Sequence, residues 1–385
     1  GGTSRTLKAA GIEAGEISDF TGFPEMLDGR VKTLHPKIYG GLLAVRDNGE
    51  HVRQMKENSL LPIDLVVCNL YPFEETLKKG ASHEEIIENI DIGGPTMIRA
   101  ASKNYRNVCV LSTEKLYGEF MEEMEKNNGS VSEDFSFRCA REVFRHTARY
   151  DFIISSYFAQ KLEKEELPAE MDIRMQKVQD LRYGENPHQK AAWYRFSNME
   201  PFPRKQFQGK ELSFNNLLDM EATYLLVNRL PEGSCAIIKH TNPCGAATGK
   251  DLSEAYERAL ETDPLSAFGG IVGFNGKVCA DLARSLSKRF YEVIIAPDYE
   301  DEALRIFRKK ENLRIIQSPS AVNPRYDFRT LNDGLLVQTA DEKDFEKLVT
   351  ATRKQPCEKE LTALKFAWTV CKHVKSNAIV FAAEN

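Results

Sequence analysis

The sequence predicts an α/β protein of two domains. Its 385 residues exceed what a single hydrophobic core ordinarily holds. Six short, β-branched-rich apolar runs predict strands that are covered on both faces. Helical patterns alternate with these runs, which favours mostly parallel sheets. The six runs are residues 65–68, 108–111, 236–238, 271–274, 293–296 and 313–316.

Helix start signals separate the predicted strands. Ser82 and Glu85 have the spacing of a capping box, and Asp251 and Glu254 have the same form. A long helical pattern surrounds residues 137–158, and a charged stretch containing a proline follows it at residues 161–179. That stretch predicts a linker, so we expect one domain at residues 1–170 and another at residues 171–385.

The composition argues against several classes of protein. A net charge of −5 with both signs mixed is unlike a nucleic-acid-binding protein that works through a basic surface. No apolar run approaches the roughly 20 residues of a membrane helix. The eight cysteines include no CxxC pair, which is typical of reduced thiols in the cytosol. Because the chain starts with Gly1 and ends in a strand-like run, we expect it to be cut at both ends.

Candidate anion-binding groups stand near the start of the chain. Gly1, Gly2 and Thr3 precede a helical segment, where glycine amides and a hydroxyl suit a phosphate. Arg30 and Lys32 lie two positions apart, so an extended segment would direct both toward one phosphate or oxyanion. An ordinary turn and a solvated charged loop are the alternatives for these two motifs.

Further polar residues follow the first predicted strand. Asn69 and Tyr71 come directly after it, and ligands of parallel sheets gather beyond the carboxyl ends of strands. Asp91 precedes Gly93 and Gly94, whose amides can approach a ligand closely at the start of a helix. Alternatively, Asn69 only caps the end of the strand and Tyr71 is a core residue.

The sharpest motif lies in the second half of the chain. A buried strand ends in Lys239 and His240, where the cost of desolvation favours a functional role, and a turn through Asn242 and Pro243 is expected next. Zinc-dependent nucleobase deaminases carry H-x-E and P-C-x-x-C motifs, whereas the sequence after Cys244 lacks the second thiol. We therefore expect no zinc site.

Seven motifs together resemble a known family. They are RVKTLHP, CNLYPF, DIGGPT with AASKN, LRYGENPHQ, IKHTNPCG, DPLSAFGG and KSNA, in the order found in the bifunctional purine biosynthesis family. That family joins AICAR transformylase to IMP cyclohydrolase. The resemblance implies a methylglyoxal-synthase-like domain followed by a cytidine-deaminase-like α/β/α domain that lacks zinc.

The resemblance also implies an activity. It implies the last two steps of IMP synthesis, which are formyl transfer from 10-formyltetrahydrofolate to AICAR and cyclisation of formyl-AICAR with loss of water. The folate is a cosubstrate, and no permanently bound cofactor is expected. Proteins of this family are expected to be cytosolic homodimers that bind neither nucleic acid nor membrane.

Site residues are carried over from the matching motifs. The resemblance implies a cyclohydrolase catalytic set of Lys32, Tyr71, Asp91 and Lys103, with a nucleotide-binding set of Gly1, Gly2, Thr3, Arg30, Thr33, Asn69, Gly93 and Gly94. It implies the transformylase catalytic pair Lys239 and His240, with nucleotide-binding residues Arg182, Tyr183, Asn216 and Asn377. A regulatory nucleotide-binding module is the alternative for the first domain, although such a module needs no proton-transfer set.

Overall fold

The computed structural model describes residues 2–162, 166–197, 199, 202–319, 326–345 and 347–384. The chain forms two compact units, Gly1–Asp172 (unit 1) and Ile173–Asn385 (unit 2). Part of the expected linker is instead a strand, Met175–Leu181, and residues 163–165 lie outside the described residues. None of the described helices is long and apolar enough to cross a bilayer.

Unit 1 consists of helices around a small parallel sheet of two strands, β1 (Leu65–Val67) and β2 (Cys109–Leu111). In this sheet Leu65 pairs with Cys109, and Val67 pairs with Leu111. The elements are α1 (Gly2–Ala9), α2 (Ile17–Thr21), a 3-10 turn (Leu27–Gly29), α3 (Pro36–Leu43), α4 (Gly49–Glu57), β1 (Leu65–Val67), α5 (Phe73–Lys78), α6 (His83–Glu88), α7 (Gly93–Lys103), β2 (Cys109–Leu111), a second 3-10 turn (Glu114–Leu116), α8 (Tyr117–Lys126) and α9 (Glu133–Leu162).

Sequence signals set the helix starts. Ser82 caps α6 in a complete capping box with Glu85, as its spacing predicts. The long helical pattern is α9, which packs against α7 and β2. Ile98, Val110 and Val143 are fully buried between these elements, so the unit 1 core holds α7 in place.

The described residues of unit 2 form a six-stranded sheet and two separate two-stranded sheets. The elements are β3 (Met175–Leu181), β4 (Ala191–Phe196), β5 (Lys205–Gln208), α10 (Phe214–Val227), β6 (Ser234–Lys239), β7 (Asn242–Thr248), α11 (Leu252–Thr262), β8 (Ile271–Phe274), α12 (Ala280–Leu286), β9 (Val293–Ala296), α13 (Asp301–Phe307), β10 (Arg314–Gln317), β11 (Tyr326–Thr330), β12 (Leu335–Thr339) and α14 (Glu358–Cys371). Asp251 caps α11 and accepts a hydrogen bond from the Glu254 amide, whereas the Glu254 carboxylate accepts from the Lys250 amide, so the expected capping box is incomplete.

Helices cover both faces of the large sheet, as the continuous apolar strands predict. Ile237, Val272 and Ile294 face the core that includes α11, α12 and α13. Ile271 and Ile295 face α10 on the opposite side. The result is the expected α/β/α arrangement.

The orientation of the strands differs from the expectation. The order is β5-β10-β9-β8-β6-β7, and only the β8–β9 and β9–β10 pairs are parallel. β6 runs antiparallel to β7, to which a tight hairpin joins it, and also antiparallel to β8, which follows β7 through α11. The prediction of a mostly parallel sheet is therefore wrong for unit 2. The end of β6 consequently lies at the same edge of the sheet as the starts of β8, β9 and β10.

Candidate functional site

A cavity of about 460 Å³ opens where β6 ends and β8 to β10 begin. It brings together five residues that the sequence singles out, which are Arg182, Tyr183, Asn216, Lys239 and His240. Lys239 is half-buried and His240 is exposed at the cavity, so neither is enclosed in the apolar core. The sixth predicted residue, Asn377, is exposed and does not line this cavity.

The turn that carries His240 has an unusual backbone. His240 and Thr241 both have positive φ, 55° and 61°, and together form the two-residue loop between β6 and β7. Positive φ at both positions is the geometry of a type I′ hairpin. The expected turn at Asn242 and Pro243 is wrong, because these residues begin β7. Pro243 is tolerated there because β7 is an edge strand of the sheet.

Hydrogen bonds hold this turn. Asp219 of α10 accepts from the Thr241 amide at 2.7 Å and from the His240 amide at 3.1 Å. The Thr241 hydroxyl donates to the His240 carbonyl at 2.7 Å, and Asn242 donates to the same carbonyl at 3.2 Å. A non-glycine residue at positive φ costs roughly 1–3 kcal/mol. The hydrogen bonds therefore offset backbone strain at the candidate base.

Lys239 and Asn216 are also positioned by backbone contacts. The Lys239 ammonium donates to the Phe268 carbonyl at 2.8 Å, in the loop that leads to β8. Asn216 is 8% exposed and shares a capping box with Ser213, each side chain accepting from the other's backbone amide at 3.2 Å. These contacts fix both side chains at the cavity wall before any ligand binds.

The loop that follows β3 supplies Arg182 and Tyr183. The Arg182 guanidinium lies 5.6 Å from the centre of the Tyr183 ring, which is cation–π distance. Gln189 closes the loop by accepting from the Gly184 amide at its carbonyl and from the Asn186 amide at its side chain. The loop therefore presents a stacked cation at the cavity wall.

Sequence reasoning missed several charged residues of the cavity. Arg314 is 7% exposed, donates to the Glu292 carboxylate at 2.7 Å and also donates twice to the Glu211 carbonyl. Lys210 and Asp219 line the cavity as well. Glu292 directly precedes β9, and Arg314 is the first residue of β10. Apart from these positions, the sequence gives no indication that the two residues line a cavity.

In unit 1, a second group of predicted residues meets at the start of α7. Asp91 accepts from the Gly94 amide at 2.8 Å and from the Tyr71 amide at 3.3 Å. A side chain at Gly94 would place its Cβ 2.4 Å from the Asp91 carboxylate, and one at Gly93 would lie 2.9 Å from the Thr33 hydroxyl. A carboxylate at a helix N-terminus also interacts favourably with the helix dipole. The absence of side chains therefore lets Thr33 lie close to Gly93 and Asp91 lie close to Gly94.

The two predicted cations near this group do not act as a pair. Arg30 forms an ion pair with Glu88, whereas the Lys32 ammonium lies 2.9 Å from the Glu25 carboxylate. Each contact raises the pKa of its cation. The expected extended segment is wrong, because the 3-10 turn Leu27–Gly29 has positive φ at all three residues and leaves Arg30 in a helical conformation.

The remaining predicted residues of unit 1 lie apart from Asp91. Gly2 and Thr3 are exposed in the first turn of α1, so the expected loop before that helix is helical from Gly2 onward, and Gly1 lies outside the described residues. Asn69 donates to the Tyr117 hydroxyl at 3.4 Å. Lys103 is exposed at the last position of α7, about 15 Å along the helix from Gly93. The structure does not bring Lys103 to the Asp91 carboxylate.

Two family models match successive parts of the chain. Residues 1–96 match the MGS-like domain, and residues 101–385 match the AICARFT/IMPCHase bienzyme model. The chain belongs to the AICARFT/IMPCHase bienzyme family. The predicted order, a methylglyoxal-synthase-like domain followed by the transformylase domain, is confirmed. The described residues hold no group of three or more His, Cys, Asp or Glu suited to a metal ion.

Bacterial members of the AICARFT/IMPCHase family match this chain over its full length. The bifunctional purine biosynthesis protein PurH of Thermoanaerobacter sp. (strain X514) is 49% identical, over 100% of this chain and 76% of that protein. PurH of Persephonella marina is 47% identical, over 99% and 75%, and PurH of Leptospira biflexa is 48% identical, over 100% and 76%. The chain spans about three quarters of these relatives.

Proposed function

We propose that the chain catalyses the last two steps of IMP synthesis. The first is formyl transfer from 10-formyltetrahydrofolate to AICAR, and the second is closure of formyl-AICAR to IMP with loss of water. The gathering of Arg182, Tyr183, Asn216, Lys239 and His240 around one cavity carries this proposal. The proposal includes a cytosolic homodimer that takes the folate as a cosubstrate, has no permanently bound cofactor and binds neither nucleic acid nor membrane.

Formyl transfer requires a base for a weakly nucleophilic aromatic amine. In the proposed step, the amine nitrogen of AICAR attacks the formyl carbon while His240 accepts the amine proton. Lys239 stabilises the negative charge on the formyl oxygen and supplies a proton to the departing folate nitrogen. One Lys239 N–H is committed to the Phe268 carbonyl, which leaves two donors for the reacting atoms.

Nucleotide binding in unit 2 is proposed for the polar residues of the cavity wall. Arg182 and Tyr183 suit the phosphate and the imidazole ring, and Asn216 supplies an amide. Asn377 is included on the family resemblance alone, since it does not line the cavity.

Cyclisation is intramolecular, so holding the reactive rotamer supplies much of the acceleration. In the proposed step, the carboxamide nitrogen attacks the formyl carbon of the same molecule, and the resulting hydroxyl leaves as water. Asp91 and Tyr71 transfer protons, while Lys32 and the Gly93 amide stabilise the oxyanion. The Gly94 amide donates to Asp91 and so holds that carboxylate in place. The contacts of the Asp91 carboxylate with the backbone amides of Tyr71 and Gly94, at the start of α7, support this grouping.

The remaining unit 1 residues complete the proposal on the strength of the resemblance. Gly1, Gly2, Thr3, Arg30, Thr33 and Asn69 are assigned to the nucleotide, and Lys103 to catalysis. Lys103 needs its own test, because it lies at the far end of α7. Cyclisation at the normal rate by a Lys103→Ala variant would remove it from the catalytic set.

A crossed assay tests the function. Formyl transfer and cyclisation are measured separately by absorbance on the wild-type chain, His240→Ala and Asp91→Asn. His240→Ala is expected to lose roughly 10²- to 10⁴-fold in formyl transfer and to cyclise normally, because general-base catalysis contributes about that much. Asp91→Asn is expected to show the reverse pattern.

Two results would contradict the proposal. Equal losses in both reactions for both variants would show that the sites are not separate. Binding of formyl-AICAR to the wild-type chain without turnover would favour a regulatory nucleotide-binding module in unit 1.

A further inference from the structure

The turn that carries His240 is stabilised by a residue outside its own hairpin. Asp219 lies in the second turn of α10, and its two carboxylate oxygens accept from the amides of His240 and Thr241 at 3.1 and 2.7 Å. One carboxylate therefore satisfies both N–H groups of the two-residue turn. Asp219 also lines the same cavity as the His240 side chain.

The turn needs such a partner because its own sequence does not favour it. Type I′ turns prefer Asn-Gly, since both central residues have positive φ. Here the second position is Thr241 at φ 61°, and a β-branched residue is an outlier in that region. The pairing of Ser234–Lys239 with Asn242–Thr248 leaves a two-residue loop, which favours a primed turn, but it does not remove the steric cost of positive φ at Thr241.

We propose that Asp219 is a positioning residue for His240. By holding both turn amides, its carboxylate fixes the backbone from which the imidazole reaches the cavity, so that only side-chain torsions remain to be ordered when the nucleotide binds. This inference rests on the proposed role of His240 in formyl transfer. It gives Asp219 no contact with the reacting atoms.

The primary test is Asp219→Asn, which keeps the size of the side chain but replaces one acceptor oxygen by a donor that faces an N–H. We expect kcat for formyl transfer to fall roughly 10- to 100-fold, while KM for AICAR stays within about threefold. The matched control is Asp251→Asn, at the cap of α11, where asparagine caps as well as aspartate. Both constants should be unchanged in that control.

A rescue experiment separates positioning from direct chemistry. Glycine adopts positive φ without steric cost, so Thr241→Gly gives the turn a sequence that needs less help. Adding it to Asp219→Asn should recover at least about fivefold of the lost kcat. A proton-transfer or substrate-binding role for Asp219 predicts no recovery.

The outcomes are distinguishable. A kcat for Asp219→Asn within twofold of wild type, or a loss that Thr241→Gly does not relieve, overturns the inference. If the fluorescence of Trp193 and Trp368 shows that unit 2 of Asp219→Asn is unfolded, Asp219→Glu replaces it, since this variant keeps the charge but displaces the carboxylate by one methylene. For Asp219→Glu, a fivefold lower kcat at unchanged KM supports positioning, and wild-type kcat overturns it. Absence of formyl transfer in the wild-type chain refutes the proposed function itself.

Discussion

The two units hold their candidate catalytic groups by different means. In unit 2, His240 sits in a strained turn that Asp219 fixes through the backbone, and Asn216 is held by the cap of α10. In unit 1, Asp91 accepts hydrogen bonds from backbone amides, but Tyr71 is 60% exposed and Lys32 is paired with Glu25. The backbone of the unit 2 site is therefore fixed before a ligand binds. In unit 1, by contrast, a substrate must compete with Glu25 for Lys32.

This difference suits the two proposed reactions. Formyl transfer joins two molecules, so it gains from a base whose position is set in advance. Cyclisation takes place within one molecule, and the substrate itself brings the reacting atoms together. For cyclisation it is sufficient that the site is open without a ligand and closes around one rotamer of the substrate. The predictions below test how rigid each site is.

A large effect is expected at Gly94, where unit 1 leaves no room for a side chain. Gly94→Ala would place a methyl group 2.4 Å from the Asp91 carboxylate and 2.9 Å from the Leu70 side chain. Asp91 must move to admit it, so we expect cyclisation to fall about 10- to 100-fold and formyl transfer to stay normal. Separate absorbance assays of the two reactions measure this.

Gly49→Ala is the matched control for that substitution. Gly49 begins α4, and a Cβ added there meets nothing within 4 Å. Alanine favours a helix more than glycine does, so this variant should be slightly more stable and fully active. Normal cyclisation by Gly94→Ala would mean that the position of Asp91 is not critical and that unit 1 is more tolerant than its geometry implies.

A second prediction concerns the stability of unit 2 in acid. The His373 Nε2 atom is buried and has no hydrogen-bond partner among the described residues. Burial, with the charges of Arg229 and Lys372, lowers the pKa of His373 to about 4. The unfolded chain, with a histidine pKa near 6.5, binds a proton that the folded chain refuses. The free energy of unfolding should therefore be highest above pH 6.5 and fall as the pH drops toward 4.

Fluorescence gives a readout confined to unit 2, because both tryptophans of the chain, Trp193 and Trp368, lie there. Urea titrations should give an unfolding free energy about 2 kcal/mol lower at pH 5 than at pH 7. His373→Gln should lack this component, since glutamine does not titrate. An equal pH dependence in the wild type and His373→Gln would show that other groups dominate.

The strands of the large sheet were predictable, but their directions were not. Runs such as residues 271–274 and 293–296 are buried strands, as their continuous apolar sequence predicts. The antiparallel placement of β6 depends on the turn at His240 and Thr241, for which local sequence carries no signal. The Asn242-Pro243 pair predicts a turn two residues after the actual one. Asp219, which stabilises the actual turn, lies 21 positions before His240, so the local sequence does not indicate it.

The candidate sites were predictable to the extent that their residues belong to motifs. Arg182, Asn216 and Lys239 meet at one cavity although they are distant in the sequence. The cavity also uses Glu292 and Arg314 at the starts of strands, where the rule that ligands gather at carboxyl ends gives no guidance. In unit 1, the ion pairs of Arg30 and Lys32 depend on the positive-φ turn at Leu27–Gly29, which no glycine or proline signal predicts at its first two positions.

The smallest effect is expected from Glu25→Gln, which removes the partner of Lys32. The pair is partly exposed, 29% for Lys32 and 52% for Glu25, and such pairs contribute about 0.2–1 kcal/mol. Freed of this competitor, Lys32 should bind the anionic substrate more readily, so that KM for formyl-AICAR falls by no more than roughly fivefold at unchanged kcat. The control is Glu50→Gln, which removes a comparable surface pair with Arg53 on α4 and should change neither constant. A loss of kcat in Glu25→Gln would mean that Glu25 holds Lys32 in its working position. Unit 1 would then be as fixed in advance as unit 2, and the contrast between an open and a fixed site would fail at this residue.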